Sequence, residues 1–381
     1  MKIIVAIDSF KGSLDTFQSG AAVTDAVHAV YPDAEVKVCP LADGGEGTVT
    51  AIVSALDGEI RRVEVTGPLG ERVTAEYGVI PDKQLAIMEM SAAAGITLVP
   101  EDKRNPLHTT TYGVGEMIRH AIEVSRCRHF IIGIGGSATN DGGIGMLSAL
   151  GFEFLGADGA PVSPYGIGLR DIVSINVGNA IPELTECRFE IACDVTNPLC
   201  GELGCSRIYG PQKGADEQTI LDMDKWLGGY ALLTKSVLQK SDANYPGVGA
   251  AGGLGFAFHS YLGASLTSGI ELVIRVTELE RYISDSDIVI TGEGRLDAQS
   301  CMGKAPVGVA RAAKKYGKPV IAFSGAVTRD ATLCNENGID AFFPIVRTPC
   351  SLSDAMDIKN AYENLRSTAE QAFRLIKTFR D

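Results

Sequence analysis

Residues 287–324 read DIVITGEGRLDAQSCMGKAPVGVARAAKKYGKPVIAFS, and this stretch decides the fold class. Residues 287–291 are a short apolar run with the character of a buried strand. Residues 304–316 space their apolar side chains as a helix does. Basic residues fall in the last turn, where the helix dipole favours them, and Gly317 ends the helix. Residues 319–324 make the next strand. Further along, a short helix around 328–337 ends at Gly338, 340–346 is another strand, and 353–379 is a long amphipathic helix. Strand and helix alternating at this rhythm imply right-handed crossovers and a parallel sheet.

The N-terminus has the same style. Residues 2–7 form a buried strand ending at Asp8, a helix covers 15–30, a second strand 35–39 and a helix 46–56. The middle differs. Residues 60–66, 72–80 and 85–90 read as strands joined by tight Gly/Pro turns, which favours antiparallel pairing. Helices follow near 111–125 and 216–238, with strands near 129–134 and 187–193. The expected fold is α/β with two domains. A doubly wound parallel sheet is built from both chain ends (1–60 plus 283–381), and a mixed α/β domain (61–282) is inserted.

Composition narrows the function. The 381 residues suit two or three domains at about 150 residues each. A net charge of −13 argues against general binding of nucleic acid or anionic membrane, and an anionic substrate would need its own local cations. No run of 18 apolar residues is present, and the leading apolar segment stops at Asp8. Nine cysteines without a Cys-x-x-Cys or zinc spacing read as free thiols in a reducing cytoplasm. Glycine is over-represented, 44 residues against an average of about 7%. It clusters beside apolar segments, as in loops where backbone approaches a ligand.

Six such loops carry candidate chemistry. Residues 8–14 (Asp-Ser-Phe-Lys-Gly-Ser-Leu) follow the first strand, with Asp8 where open α/β sheets place ligands and Lys11 ready to meet an anion. Residues 40–48 place Asp43 and Glu46 on a Gly-rich turn. They suit hydrated Mg²⁺ or helix capping, and the glycine density favours the first. Residues 133–143 (Gly-Ile-Gly-Gly-Ser-Ala-Thr-Asn-Asp-Gly-Gly) combine backbone amides, hydroxyls and a helix starting near 142 into a phosphate cradle. Residues 193–201 put Asp194 at a strand end as a base or metal ligand. Residues 248–258 begin a helix by close backbone packing or contact a nucleotide. Residues 290–306 gather Glu293, Arg295, Asp297, Gln299, Ser300 and Lys304 between a strand and a helix. A second reading uses Gly133-x-Gly135-x-x-Ala138 with Glu153 about 20 residues on, the dinucleotide fingerprint of an NAD(P)-dependent dehydrogenase acting on a small hydroxy acid.

Taken together and in this order, the blocks resemble the bacterial type I glycerate kinase family over essentially the whole chain. Ser300 stands where Thr is frequent, and both carry a hydroxyl. The resemblance implies a flavodoxin-like domain made from both chain ends, an inserted α/β domain and an active-site cleft between them. It also implies ATP-dependent phosphorylation of D-glycerate using Mg²⁺. The product would be 2-phosphoglycerate (3-phosphoglycerate being the other possibility), formed in glyoxylate or sugar-acid breakdown by a cytoplasmic monomer or homodimer. Within that framework Gly135, Gly136, Ser137, Thr139, Asn140 and Glu293 would bind ATP, with Lys11 at its phosphates and as a catalytic residue. Arg295, Ser9 and Lys304 would bind glycerate. Asp43 and Asp297 would hold Mg²⁺, Asp297 acting also in catalysis, and Asp194 would take the substrate proton.

Overall fold

The computed structural model describes residues 1–301 and 303–380, so Met302 of the sixth loop lies outside the described residues. Thirteen strands occur among them. The first six are β1 (Lys2–Ile7), β2 (Glu35–Val38), β3 (Glu59–Thr66), β4 (Arg72–Ile80), β5 (Leu85–Glu89) and β6 (His129–Gly133). Then come β7 (Glu153–Leu155), β8 (Ser174–Asn176), β9 (Arg188–Ala192), β10 (Ser265–Thr267), β11 (Ile288–Leu296), β12 (Val320–Val327) and β13 (Ala341–Pro344). The chain divides into two compact units. The first is Met1–Asp43, Ser54–Leu56 and Ile270–Asp381, and the second is Gly44–Val53 and Asp57–Gly269.

The first unit holds a five-stranded sheet in the order β13-β12-β11-β1-β2, every pair parallel. Counted along this unit alone, the order is the 2-1-3-4-5 of a flavodoxin-like doubly wound sheet, and its switch point lies between β1 and β11. Ile3, Val5 and Ile7 pack into one core with Val23 and Val27 of the helix Thr16–Val30 and Leu365 and Phe373 of the helix Ile358–Arg380. Ile4 and Ala6 point the other way by strand alternation and are equally buried, as a sheet covered on both faces requires. Asp15 starts the helix Thr16–Val30 with a capping box. It accepts from the Gln18 backbone N–H, and the Gln18 side chain accepts from its own N–H.

Two sequence expectations need correcting here. The strand expected to end at 291 continues to Leu296, with Arg295 opposite Ala326 and Leu296 opposite Val327. Its glycines are not a loop signal: a Cβ on Gly292 would lie 2.1 Å from the Phe323 carbonyl oxygen, so glycine lets two strands approach. The long C-terminal helix is two, Leu352–Met356 and Ile358–Arg380. Asp357 leaves helical geometry between them and accepts from the Asn360 N–H at 3.0 Å, capping the second.

The second unit holds a six-stranded mixed sheet in the order β10-β9-β6-β5-β4-β3. The β3–β4–β5 meander is antiparallel, as its tight turns predict, and β5, β6, β9 and β10 run parallel. Phe130 stacks on Phe189 across β6 and β9 at 4.8 Å between ring centres, inside a core that also takes in Met117, Leu227 and Phe256. The antiparallel pair β7–β8 and the strand β10, three residues each, escape the sequence reading because so short a segment shows no period. Among the described residues no helix is long and apolar enough to cross a membrane.

Candidate active site

Open parallel sheets bind ligands outside the carboxyl ends of their strands at the switch point. In the first unit that place follows β1 and runs along the end of β11. Asp8 leaves β1 with its N–H donating to the Gly292 carbonyl at 3.0 Å, and the Ser9 N–H donates to Asp8 Oδ1 at 2.7 Å. Two tight backbone bonds, Phe10 N–H to Leu14 O and Ser13 N–H to Phe10 O, then lift Lys11 into solvent, 3.8 Å from Asp43. Asp8 itself is 3% exposed. Burial, with the Asp43 charge and more weakly that of Glu293, pushes its carboxyl up to about 7 against the pull of the Ser9 amide and Lys11.

The end of β11 supplies the rest. Burial raises the Glu293 carboxyl, while the donated Ser300 hydroxyl and the Lys304 charge oppose the shift. Asp297 lies 3.3 Å from Arg295 Nε, and its Oδ1 accepts from the Gln299 N–H at 2.9 Å and the Ser300 N–H at 3.3 Å. Lys304 Nζ reaches Gln299 Oε1 at 3.4 Å. The first unit thus gathers Ser9, Lys11, Asp43, Glu293, Arg295, Asp297 and Lys304 with Asp8 at the carboxyl end of its central strands. Among the described residues no three His, Cys, Asp or Glu side chains form a ready metal cage. Mg²⁺ asks for less, one or two carboxylates plus phosphate oxygens. The mutual repulsion of Asp8, Asp43 and Glu293 is the kind of donor set a hard cation relieves.

The second unit carries the other predicted residues. Gly135 and Gly136 follow β6 and are exposed, whereas Ser137, Thr139 and Asn140 are turned inward and buried. Lys213 organises that interior: its ammonium donates to Ser137 Oγ at 2.8 Å and to the Thr139 carbonyl at 2.6 Å, and burial pulls it down to about 8. Asn140 donates to Ser206 Oγ at 2.8 Å, while its Oδ1 and Thr139 Oγ1 are buried with no hydrogen-bond partner. The helix expected to begin near 142 begins at Ile144 and runs only to Ala149. Its first amides are not open to a phosphate. Asp141 accepts from the N–H groups of Gly143 at 3.0 Å and Gly145 at 3.3 Å, and from Thr111 N–H and Oγ1 at 2.8 and 2.7 Å. Residues 248–258 serve the same loop: the Gly142 N–H donates to the Gly252 carbonyl at 2.9 Å. Asp194 follows β9, the neighbour of β6 in the sheet, and its Oδ1 accepts from the Gly269 N–H at 3.0 Å.

Three charged groups lie outside the predicted set. Asp8 is marked in the sequence by its place at a strand end where open α/β sheets put ligands, but nothing there gives it a role. Lys213 sits in an ordinary Pro-Gln-Lys-Gly turn with no motif to mark it. Glu89, at the end of β5, accepts from the Val49 N–H at 3.0 Å and so caps the helix Thr48–Ala55, the task the sequence offered to Glu46. The dinucleotide reading of 133–153 is corrected. No helix follows β6 directly, and Glu153 sits in β7, held at 2.7 Å by Asn176 of β8 rather than beyond a second parallel strand.

Known proteins resemble this chain over nearly its whole length. The sequence profile described as the Glycerate kinase family matches residues 3–377. Glycerate 2-kinase of Escherichia coli (strain K12) is 47% identical over 365 residues, 96% of this chain and 95% of that protein. Glycerate kinase of Haemophilus influenzae is 46% identical over 376 residues, 99% of each. A crystal structure provisionally named glycerate kinase 2, from Salmonella typhimurium LT2, superposes with a TM-score of 0.91 at 46% identity, covering 100% of this chain and 99% of that one. The chain belongs to the glycerate kinase family and is a kinase.

Proposed function

We propose that the protein transfers the γ-phosphoryl group of ATP to D-glycerate with Mg²⁺, forming 2-phosphoglycerate. The observation that carries this reading is the edge of β1 and β11, where Asp8, Asp43, Glu293 and Asp297 alternate with Lys11, Arg295 and Lys304. A small dianionic transfer site needs cations for its charge and carboxylates for a metal and a proton, and both stand there. The 2-phosphate is favoured by the name of the Escherichia coli relative.

In this reading Arg295, with Lys304 and Ser9, clamps the glycerate carboxylate, and Lys11 meets the phosphates. The Gly135 and Gly136 backbone, shaped from beneath by Ser137, Thr139 and Asn140, lies along ATP, with Glu293 as a further contact. Asp43 and Asp297 would hold Mg²⁺, which neutralises phosphate charge when bound. Asp194 takes the hydroxyl proton. Asp8 is the second candidate for that step, since a carboxyl near 7 is matched to a proton transfer at neutral pH. Nine cysteines without a disulfide suit a reducing cytoplasm; a place in glyoxylate or sugar-acid breakdown, as a monomer or homodimer, rests on the family resemblance alone.

The test is ³¹P NMR of the protein with ATP, Mg²⁺ and D-glycerate. A phosphomonoester signal growing with ADP is expected, coupled to one methine proton. Coupling to a methylene pair would make the product the 3-phosphate, and no signal would defeat the reading. Arg295→Ala should raise the glycerate KM about 10- to 100-fold, the worth of a charged hydrogen bond, and leave the ATP KM in place. A rise confined to ATP would remove the clamp.

A further inference from the structure

Two cysteines 33 positions apart in sequence meet beside the β11 edge. Cys301 closes the short helix Ala298–Cys301, and Cys334 lies in the short helix Leu333–Glu336. Both are free thiols, and their sulfurs are 2.9 Å apart. A disulfide needs about 2.05 Å, so closure asks each sulfur to move by less than about 0.5 Å. Both thiols also face one acceptor, the Asp297 carbonyl oxygen, at 3.7 Å from Cys301 and 4.0 Å from Cys334. Asp297 is the residue whose carboxylate meets Arg295 and orders Gln299 and Ser300, and Ser300 in turn donates to Glu293.

We propose that Cys301 and Cys334 form a thiol–disulfide exchange site, which a small-molecule disulfide of the glutathione type oxidises to an intramolecular bond that slows phosphoryl transfer. The catalytic consequence rests on the function proposed above; formation of the bond does not. Cys301 is partly exposed and Cys334 fully buried, so Cys301 is the entry point. The Cys301 thiolate attacks one sulfur of the small disulfide, forming a mixed disulfide and releasing one small thiolate. Cys334 then gives up its proton and attacks Cys301 Sγ. The internal bond forms, the mixed bond breaks and a second small thiol leaves. The protein loses two electrons and two protons, and the small disulfide is reduced to two thiols.

The bond acts on the turn. Cys301 and Cys334 lose the S–H groups that face the Asp297 carbonyl, and the helix Ala298–Cys301 is drawn toward Leu333–Glu336. Misplacing catalytic groups by about 1 Å costs on the order of 100-fold in rate, so a shift of about half that size should cost on the order of 10-fold.

The whole chain is incubated, folded, with oxidised glutathione, then mapped by proteolysis and mass spectrometry and assayed for ADP release. The expected result is a Cys301–Cys334 cross-linked peptide, a rate reduced about 10- to 100-fold and recovery in dithiothreitol. Cys334→Ser and, as the less buried alternative, Cys301→Ser should each keep their rate through the treatment. Absence of the cross-link, a glutathione adduct that stays on Cys301, or inactivation that persists in both variants would overturn the site. A cross-link with an unchanged rate would overturn its coupling to catalysis. A protein without turnover before treatment would defeat the functional reading instead, and the peptide map would still decide this one.

Discussion

Asp8 shows how a residue acquires its chemistry from neighbours far along the chain. Nothing about an Asp after a strand says that its carboxyl titrates near 7. That follows from burial and from Asp43 and Glu293, the second of which arrives from the other end of the sequence. The residue types at the β11 edge were legible because charge is unusual in a glycine-rich stretch, and so were Lys11 and Asp43. Lys213 was not, because a buried lysine and an exposed one are the same letter until the fold closes over it. The Asp8 shift has a consequence for stability. Its folded value lies above its ordinary value of 3.8, so the fold holds the proton more tightly than the unfolded chain does. That contribution is complete below about 4 and is lost as pH rises through about 7, with an upper bound on the order of 4 kcal/mol. Melting temperature of the ligand-free protein should therefore fall between pH 5 and pH 8, and Asp8→Asn should flatten that fall and melt higher than wild type at pH 8. Mg²⁺ should raise the wild-type midpoint more at pH 8 than at pH 5. An Asn variant that melts below wild type at pH 8 would show that the buried charge is not the burden described.

Elements were read well where a period or a punctuating residue exists, as at the helix Thr16–Val30 and the β3–β4–β5 meander. They were misread where glycine has a second meaning. In β11 Gly292 serves strand contact, not a loop, so the strand runs on and carries Glu293 and Arg295 on a rigid element. The sequence of 248–258 suits helix packing and nucleotide contact alike. Ala251, Gly252 and Gly253 in fact interrupt the helix Ala250–Leu262 with left-handed backbone, and they press on the loop after β6. A Cβ on Gly252 would lie 2.1 Å from the Thr139 carbonyl oxygen and 2.5 Å from Asn140 Cα, at a φ of +67°. The neighbour is backbone, which has no rotamer with which to yield. Gly252→Ala should cost about 1–2 kcal/mol for the left-handed conformation alone, and more for the displaced loop. Because the loop itself must shift, kcat/KM for ATP should fall as well. Gly229→Ala is the control, since in the helix Glu217–Val237 its Cβ meets nothing within 4 Å and the change should be neutral or stabilising. Equal melting points and equal ATP kinetics for the two variants would mean that the Gly252 contact does not shape the loop.

At the scale of the molecule, alternation of strand and helix at both chain ends was enough to expect one parallel sheet from two distant segments, and β1 between β2 and β11 realises it. Finer assignment was out of reach: residues 44–53 and 57–60 group with the second unit and 270–282 with the first, because contacts rather than sequence neighbourhood decide membership. Each sheet has a core of its own. Leu365, fully buried, belongs to the core of β1 and β11 with Val23 and Phe373, whereas Phe130, also fully buried, belongs to that of β6 and β9 with Phe189. Removing either side chain leaves a cavity that rigid packing fills only in part. Leu365→Ala should cost about 2–5 kcal/mol and Phe130→Ala about 3–5 kcal/mol. Where that loss appears depends on whether the units open separately. If each core is a cooperative block, hydrogen exchange should quicken in β1, β11 and β12 for Leu365→Ala and in β5, β6 and β9 for Phe130→Ala, with the other sheet keeping wild-type protection. Calorimetry should then show two components, only one displaced in each variant. Faster exchange in both sheets from either single substitution would instead mean that the chain unfolds as one block. A ligand bound to the first unit alone would then raise the protection of β6 as much as that of β11.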